Sequence, residues 1–165
     1  RIPVHGMFMF CADADEPASL RATSDFVRSG HIDSVQYMIF TPFPGTEVFR
    51  KLESEGRLLH REWRYYDAMH VVMKPKRFAP AELQRRMLEA YARYYNVSSA
   101  VGEALRTAAH SMGRLVGRRS ERGTPSVHNA LLRLVGGHIL RRWGAANGDY
   151  LGFLRSFDGQ APHAG

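Results

Sequence analysis

The segment Thr41-Pro42-Phe43-Pro44-Gly45-Thr46 is the densest group of residues able to shape a ligand site. Two prolines and a glycine make a stiff turn whose carbonyl and amide groups could be presented to a flat heterocycle. The same residues equally suit a strand exit shaped by turn chemistry alone. Asp13-Ala14-Asp15-Glu16 is the second candidate. Asp13 could serve as a general acid or base, but carboxylates are also expected at a helix start because they face the positive end of the helix dipole. A calcium loop is a poor match, since the glycine at loop position six and the glutamate at position twelve are missing. Cys11 is the sole cysteine. As a nucleophile its thiol needs an activating histidine or cation, which the sequence does not assign; otherwise it is a semi-buried thiol.

The other polar residues exclude more than they suggest. The eight histidines show no H-x-x-x-H or H-E-x-x-H spacing and read as surface or satisfied core residues. G-x-S-x-G, G-x-x-x-x-G-K and G-x-G-x-x-G are absent, which removes the ordinary hydrolase, nucleotidase and dinucleotide signatures. Arg85-Arg86, Arg118-Arg119 and Arg141-Arg142 could be phosphate contacts or solvated helix faces, without a helix-turn-helix or RNA-binding signature around them. The stretch 126–143, with Leu131, Leu134, Val135, Leu140 and Trp143, suits either bundle packing or contact with a membrane surface.

These residues need elements to hold them. Val4 to Phe10 is a short apolar run that reads as a buried strand, ended by the polar stretch containing Asp13. Pro17 suits a first helical turn, Leu20, Ser24 and Val27 share a face, and Gly30 stops the pattern, predicting a helix over 17–29. Ser34 to Phe40 is a second strand, cut off by Pro42 and Pro44. Thr46 caps a helix carrying Val48, Phe49 and Leu52, closed by Gly56. The order strand, helix, strand, helix predicts parallel strands joined by a crossover, which puts both candidate segments at C-terminal strand ends, where βα folds place ligand sites. A short strand is expected at His70–Met73. From Pro80 onward Leu83, Met87, Tyr91 and Tyr94 repeat at helical spacing, and further helices are expected near 98–117, 126–143 and 147–156, with an exposed linker at 118–125.

With 165 residues, 44% of them apolar, and a net charge of +7, the chain reads as folded, basic and soluble, too apolar for a disordered basic tail and too short for a large multidomain enzyme. The charge is uneven. Residues 1–73 carry eight basic and ten acidic side chains, residues 74–165 fifteen and six, so the excess belongs to the helical half. One cysteine closes no intrachain disulfide and cannot by itself supply a zinc or iron–sulfur site. Neither a signal peptide nor a membrane span is visible, which points to a reducing, cytoplasmic setting. The first residue is Arg1 rather than Met, as expected of a piece of a longer protein.

Gly6-Met7-Phe8-Met9-Phe10, then Asp13-Ala14-Asp15, then Thr41-Pro42-Phe43-Pro44-Gly45-Thr46, taken in order and spacing, resembles the last third of the radical S-adenosylmethionine enzyme core, most closely the group with an N-terminal cobalamin-binding domain. Trp63, Tyr66-Asp67, His70-Val71-Val72, Pro75-Lys76, Ala79-Pro80-Ala81-Glu82-Leu83 and Ala90-Tyr91-Ala92-Arg93-Tyr94-Tyr95 continue the likeness, which runs over about residues 4–97. The resemblance implies an α/β fold: residues 1–78 as the last βα units of a partial β/α barrel, residues 79–165 as a basic helical extension. It implies S-adenosylmethionine across the strand ends, with Phe40, Thr41 and Pro42 on the adenine side and Phe10, Cys11 and Asp13 near cofactor or substrate; the family usually has glycine where Cys11 stands. The family's C-x-x-x-C-x-x-C loop is nowhere in the chain.

The expectation that follows is the C-terminal portion of a cobalamin-dependent radical enzyme, capable of methyl transfer or ring rearrangement at full length. Its four-iron four-sulfur cluster and cobalamin would be held outside this chain, which would be inactive alone. The expected partners are a small-molecule or lipid-like substrate and the N-terminal part of the same protein, which would cover the free edge of strand 4–10. No transmembrane segment and no metal ligand are expected in this chain. The alternative is a non-enzymatic α/β module binding nucleic acid or a protein partner through its basic helices.

Overall fold

The computed structural model describes residues 2–11, 13–30, 32–115 and 127–157; the linker expected at 118–125 falls outside them. The first apolar run forms β1 (His5–Phe10) and the second β2 (Ser34–Ile39), joined through α1 (Pro17–Ser29). Pro17 sits in the first turn, where its missing N–H costs nothing, and Ser19 Oγ accepts the Glu16 N–H at 2.9 Å to close the helix start. The strands pair in parallel, with Phe8 opposite Tyr37 and Phe10 opposite Ile39. After the proline turn comes α2 (Glu47–Ser54), capped by Thr46 Oγ1, which accepts from the Phe49 N–H at 3.2 Å. The chain then turns at Gly56, whose φ of +65° suits a residue without a Cβ.

The strand expected at His70–Met73 is corrected to one antiparallel bridge, Leu58 with Met73. Leu59 N–H donates to Val72 O at 3.0 Å and Lys74 N–H to Arg57 O at 2.7 Å. Pairing stops there because side chains take the next backbone groups: Gln84 Oε1 accepts the Val71 N–H at 3.0 Å, and the Tyr150 hydroxyl donates to Val71 O at 2.8 Å.

The helical half comprises α3 (Pro80–Tyr94), α4 (Val97–Leu115), α5 (Val127–Ala146) and α6 (Gly148–Arg155). Helices cover one face of the sheet. Phe8, Phe10, Val35, Tyr37 and Ile39 turn toward α1 and α3, joining Leu20, Val27, Leu83 and Met87 in the core. The opposite face bears Met7 and Met9, both exposed.

What closes the sheet on the β2 side is a pair of tyrosines. Tyr91 and Tyr95, four residues apart, stand on one face of the chain leaving α3. The Tyr91 hydroxyl accepts the Tyr37 N–H at 2.9 Å and donates to Tyr37 O at 2.8 Å; Tyr95 does the same for Val35, at 2.9 and 2.7 Å. Ala68 O takes the next outward group, the Ile39 N–H, at 2.7 Å. The β2 edge is thus saturated without a third strand. Among the described residues the other edge, on β1, pairs with nothing.

Tyr95 is itself held by α5. A Cβ built on Gly136 would lie 2.5 Å from the Tyr95 ring, and one on Gly137 2.8 Å from its carbonyl oxygen, so two glycines let the helix backbone rest on this residue. Tyr94 donates to Ile32 O at 2.8 Å and carries the Arg133 guanidinium over its ring. Among the described residues no helix is long and apolar enough to cross a membrane.

Tyr91→Phe strips two buried backbone groups of their partner and is expected to cost about 2 kcal/mol in urea unfolding, with faster amide exchange at Tyr37. Gly136→Ala is expected to cost about 1–3 kcal/mol, because the Tyr95 ring cannot swing aside without releasing β2.

Candidate functional site

The two strand ends meet where Phe40 N–H donates to Phe10 O at 2.8 Å. Phe10 is buried and stacks on Tyr37 at 5.4 Å between ring centroids. Beyond Phe40, which keeps part of its surface open, Thr41 and Pro42 are buried, and Thr41 Oγ1 donates back to Ile39 O at 3.1 Å. Phe43 and Pro44 are exposed, Gly45 has φ +85°, and the Thr46 hydroxyl donates to Phe43 O at 2.7 Å. Turn chemistry therefore accounts for the back half of this segment. Phe40 and the backbone around it are the part open to a ligand.

Cys11 leaves β1 with φ +83°, a left-handed conformation that an L side chain adopts only under strain. Its side chain is buried, and that desolvation pushes the thiol up to about 12, against the opposing pull of the Arg57 cation. The group stays protonated at neutral pH and reads as a buried structural thiol, more enclosed than the semi-buried one expected.

Asp13 pairs with Arg57. The guanidinium meets the carboxylate in a fork, at 2.7 Å to Oδ1 and 3.4 Å to Oδ2. Arg57 also donates to Glu55 Oε2 at 3.1 Å and, from Nε, to Lys74 O at 3.0 Å, while Lys76 Nζ lies 3.4 Å from Asp13. The hydrogen bond from Arg57 leads in holding the Asp13 carboxyl below the usual carboxylate range; partial burial opposes it and Lys76 assists. Burial alone would lower the Arg57 value, but its bonds to Asp13 and Glu55 outweigh that and raise it. Asp13 is thus an ionised strut between the β1 exit and the 57–59 segment, and a weak base. Arg57 was invisible to sequence reasoning: it is a lone arginine after Gly56, with no motif around it.

A second polar cluster ties the 60–73 segment to the C-terminal helices. His70 is buried; its Nδ1 donates to Asp67 at 2.9 Å and its Nε2 lies 2.9 Å from Asn147 Oδ1. Tyr65, Trp143 and Tyr150 surround the ring at 4.9, 4.9 and 4.8 Å. His60 Nδ1 accepts the Glu62 N–H at 3.2 Å, so Nε2 carries the hydrogen toward the Tyr150 oxygen at 2.8 Å. Burial leads in lowering the His60 pKa, which favours the neutral ring. His70 is thus a buried, polar-contacted residue and His60 a half-buried one, and no group of three or more metal-binding side chains exists among the described residues. A groove of about 260 Å³ lies on the helical layer between α1 and α3, walled by Arg21, Arg85, Arg86 and Arg93, rather than at the strand ends.

The chain matches known methyltransferases. Over 99 residues it is 31% identical to bacteriochlorophyllide d C-12(1)-methyltransferase of Chlorobaculum tepidum, covering 60% of this chain and 21% of the relative. Over 92 residues it is 29% identical to bacteriochlorophyllide d C-8(2)-methyltransferase of the same organism, covering 56% and 20%. An uncharacterised methyltransferase of Pyrococcus horikoshii is 30% identical over 90 residues, covering 54% and 20%. The chain therefore spans about a fifth of the length of the curated relatives it matches. No family model and no solved structure matches.

These matches correct the family expectation. They connect the chain to methyltransferases by partial likeness, and no family model connects it to the cobalamin-type radical enzymes. The cluster and the cobalamin, inferred only through that resemblance, lose their basis; likeness to methyltransferases is what stands.

Two outcomes are expected at this site. Native protein at pH 8 resists alkylation at Cys11 and reacts once unfolded, and Cys11→Gly is more stable than Cys11→Ala by about 1 kcal/mol, because glycine adopts the left-handed conformation without strain. Because the Asp13 carboxyl is lowered in the fold, the stability it contributes is present above the ordinary carboxylate pKa and is lost as pH falls through the folded value. Melting curves against pH are expected to flatten over that acid range in Asp13→Asn, which costs about 1 kcal/mol at neutral pH for this half-exposed partner.

Proposed function

We propose that this chain is the C-terminal part of a larger S-adenosylmethionine-dependent methyltransferase acting on carbon in a small-molecule or lipid-like substrate. The partial match to three methyltransferases carries the reading, two of them named for carbon positions of bacteriochlorophyllide d. On this reading residues 1–78 are the last βα units of a β/α barrel and residues 79–165 a helical extension. Helices on one sheet face, exposed Met7 and Met9 on the other, and a saturated β2 edge beside a β1 edge that no strand pairs among the described residues support it, since a barrel wall keeps its helices outside and continues through its free edge. A reducing, cytoplasmic setting belongs to the same reading.

The strand ends fit one side of such a cofactor. Phe40 offers a partly exposed ring for an adenine, Thr41 and Pro42 back it rigidly, and Phe10 and Cys11, both buried, brace the neighbouring strand end from behind. S-adenosylmethionine supplies the methyl group. This chain's residues orient and shield the cofactor, while Asp13, committed to Arg57 and Lys76, holds the β1 exit in place.

The test is binding and transfer with the full-length protein. Calorimetry with S-adenosylhomocysteine is expected to show a saturable site that Phe40→Ala weakens about tenfold through the lost ring contact. Incubation with S-adenosylmethionine labelled in the methyl group is expected to move label into an apolar extract of the source cells. Absence of both binding and transfer overturns the proposal.

A further inference from the structure

The groove of about 260 Å³ between α1 and α3 is walled by charge. Arg21 of α1 and Arg85, Arg86 and Arg93 of α3 line it, against a single lining carboxylate, Glu89. Helical spacing brings these residues together: Arg86 and Arg93 stand two turns apart on one face of α3, with Arg85 and Glu89 beside them. From Arg85 to Arg93 the wall runs about 12 Å, at about 1.5 Å per residue. Leu20, Ser24 and Ala90, all buried, complete the lining, and the Ser24 hydroxyl donates to Leu20 O at 3.1 Å.

The charges of the walls do not balance. Arg85 is answered by Glu89 and Arg86 by Glu82, the latter at 2.7 Å, each partner one turn away on the same helix. Arg21 and Arg93 form no ion pair and no hydrogen bond among the described residues. Two guanidinium groups on different helices therefore line one groove with no counter-charge left for them. An anion seated there relieves their repulsion and finds its donors already in place.

The lining also narrows the chemistry of that anion. A carboxylate accepts one guanidinium fork, whereas a diphosphate carries charge and acceptor oxygens for two or more. The groove has no aromatic ring, no side-chain amide and no uncommitted hydroxyl with which to read what the phosphates are attached to. Recognition there rests on the phosphate groups themselves, and a groove of this volume is too small to seat a folded partner.

We propose that the α1–α3 groove binds a small phosphate-bearing anion of the diphosphate class, gripped by Arg21 and Arg93 with Arg85 and Arg86 beside them. The groove shares no residue with the strand ends, so this stands independently of methyl transfer.

Calorimetric titration of the full-length protein with inorganic diphosphate at low salt tests it. Saturable binding is expected, weakening steeply as salt rises. Arg21→Gln and Arg93→Gln are each expected to weaken it severalfold, and together at least about tenfold. Arg50→Gln removes the same charge from an exposed position on α2 and is expected to leave binding unchanged. All three positions are exposed, and the melting curves of the variants are expected to match that of the parent, so lost binding is not lost folding. ADP and geranyl diphosphate, titrated against the parent and the Arg21→Gln/Arg93→Gln protein, separate a nucleotide from a lipid as the source of the diphosphate: the tighter one that the double variant loses names it. No saturable diphosphate binding, as when another part of a longer chain fills the groove, overturns the proposal. So does binding that the double variant retains, or that Arg50→Gln weakens as much, or an oligonucleotide bound where diphosphate is not.

Discussion

Two tyrosine hydroxyls, on Tyr91 and Tyr95, do for β2 what a neighbouring strand would otherwise do. A buried strand cannot leave its outward N–H and C=O groups unpaired, because each one stripped of water and given no partner costs a sizeable fraction of a domain's net stability. Each hydroxyl both accepts and donates, so a single side-chain oxygen satisfies the two backbone groups of one residue. Much of the architecture follows. Helix α3 is pinned across the sheet at a fixed height, the sheet ends at β2, and a further strand has room only beside β1.

That pin also organises the helical half. Tyr95 lies under the Gly136–Gly137 step of α5, so the residue that closes the sheet also seats the helix. Asp33 works at the other end of the same strand, accepting the Val4 N–H at 2.8 Å and a bond from Asn129 of α5, also at 2.8 Å. At the C-terminal side the Asp67–His70–Asn147 chain and the Tyr150 hydroxyl fasten the α5–α6 junction to the 60–73 segment. The sheet and the helical extension are joined by hydrogen-bonded polar groups as well as by apolar packing, which fixes orientation more narrowly than apolar contact alone.

The strand ends combine rigidity with limited chemistry. Arg57 immobilises Asp13, burial silences Cys11, and Thr41 spends its hydroxyl on Ile39. These are means of holding a wall in shape, and the likeness to methyltransferases of about five times the matched length is consistent with reactive groups carried elsewhere in such proteins. The resemblance to cobalamin-type radical enzymes failed as an identification, yet the same Tyr91-Ala92-Arg93-Tyr94-Tyr95 stretch that contributed to it holds the residues that close the sheet.

Local spacing along the chain determined the elements. The runs before Cys11 and before Thr41, the Pro17 and Pro80 helix starts, the Thr46 cap and the turn at Gly56 are each set by neighbours a few residues away, and each stands within a residue or so of where the pattern put it. The strand at His70–Met73 failed for an instructive reason: an apolar run does not reveal that Gln84 and Tyr150 will take the Val71 backbone. Only the tertiary structure decided that Arg57 is buried against Asp13, that tyrosines rather than a strand close β2, and that His70 sits in an aromatic cage. Arg57 and Asp13 are 44 residues apart, and the two tyrosines stand 54 and 60 residues from the strand residues they close. A charged or hydroxyl-bearing side chain looks the same in sequence whether water or a distant backbone group completes its hydrogen bonds, and folding alone makes that choice.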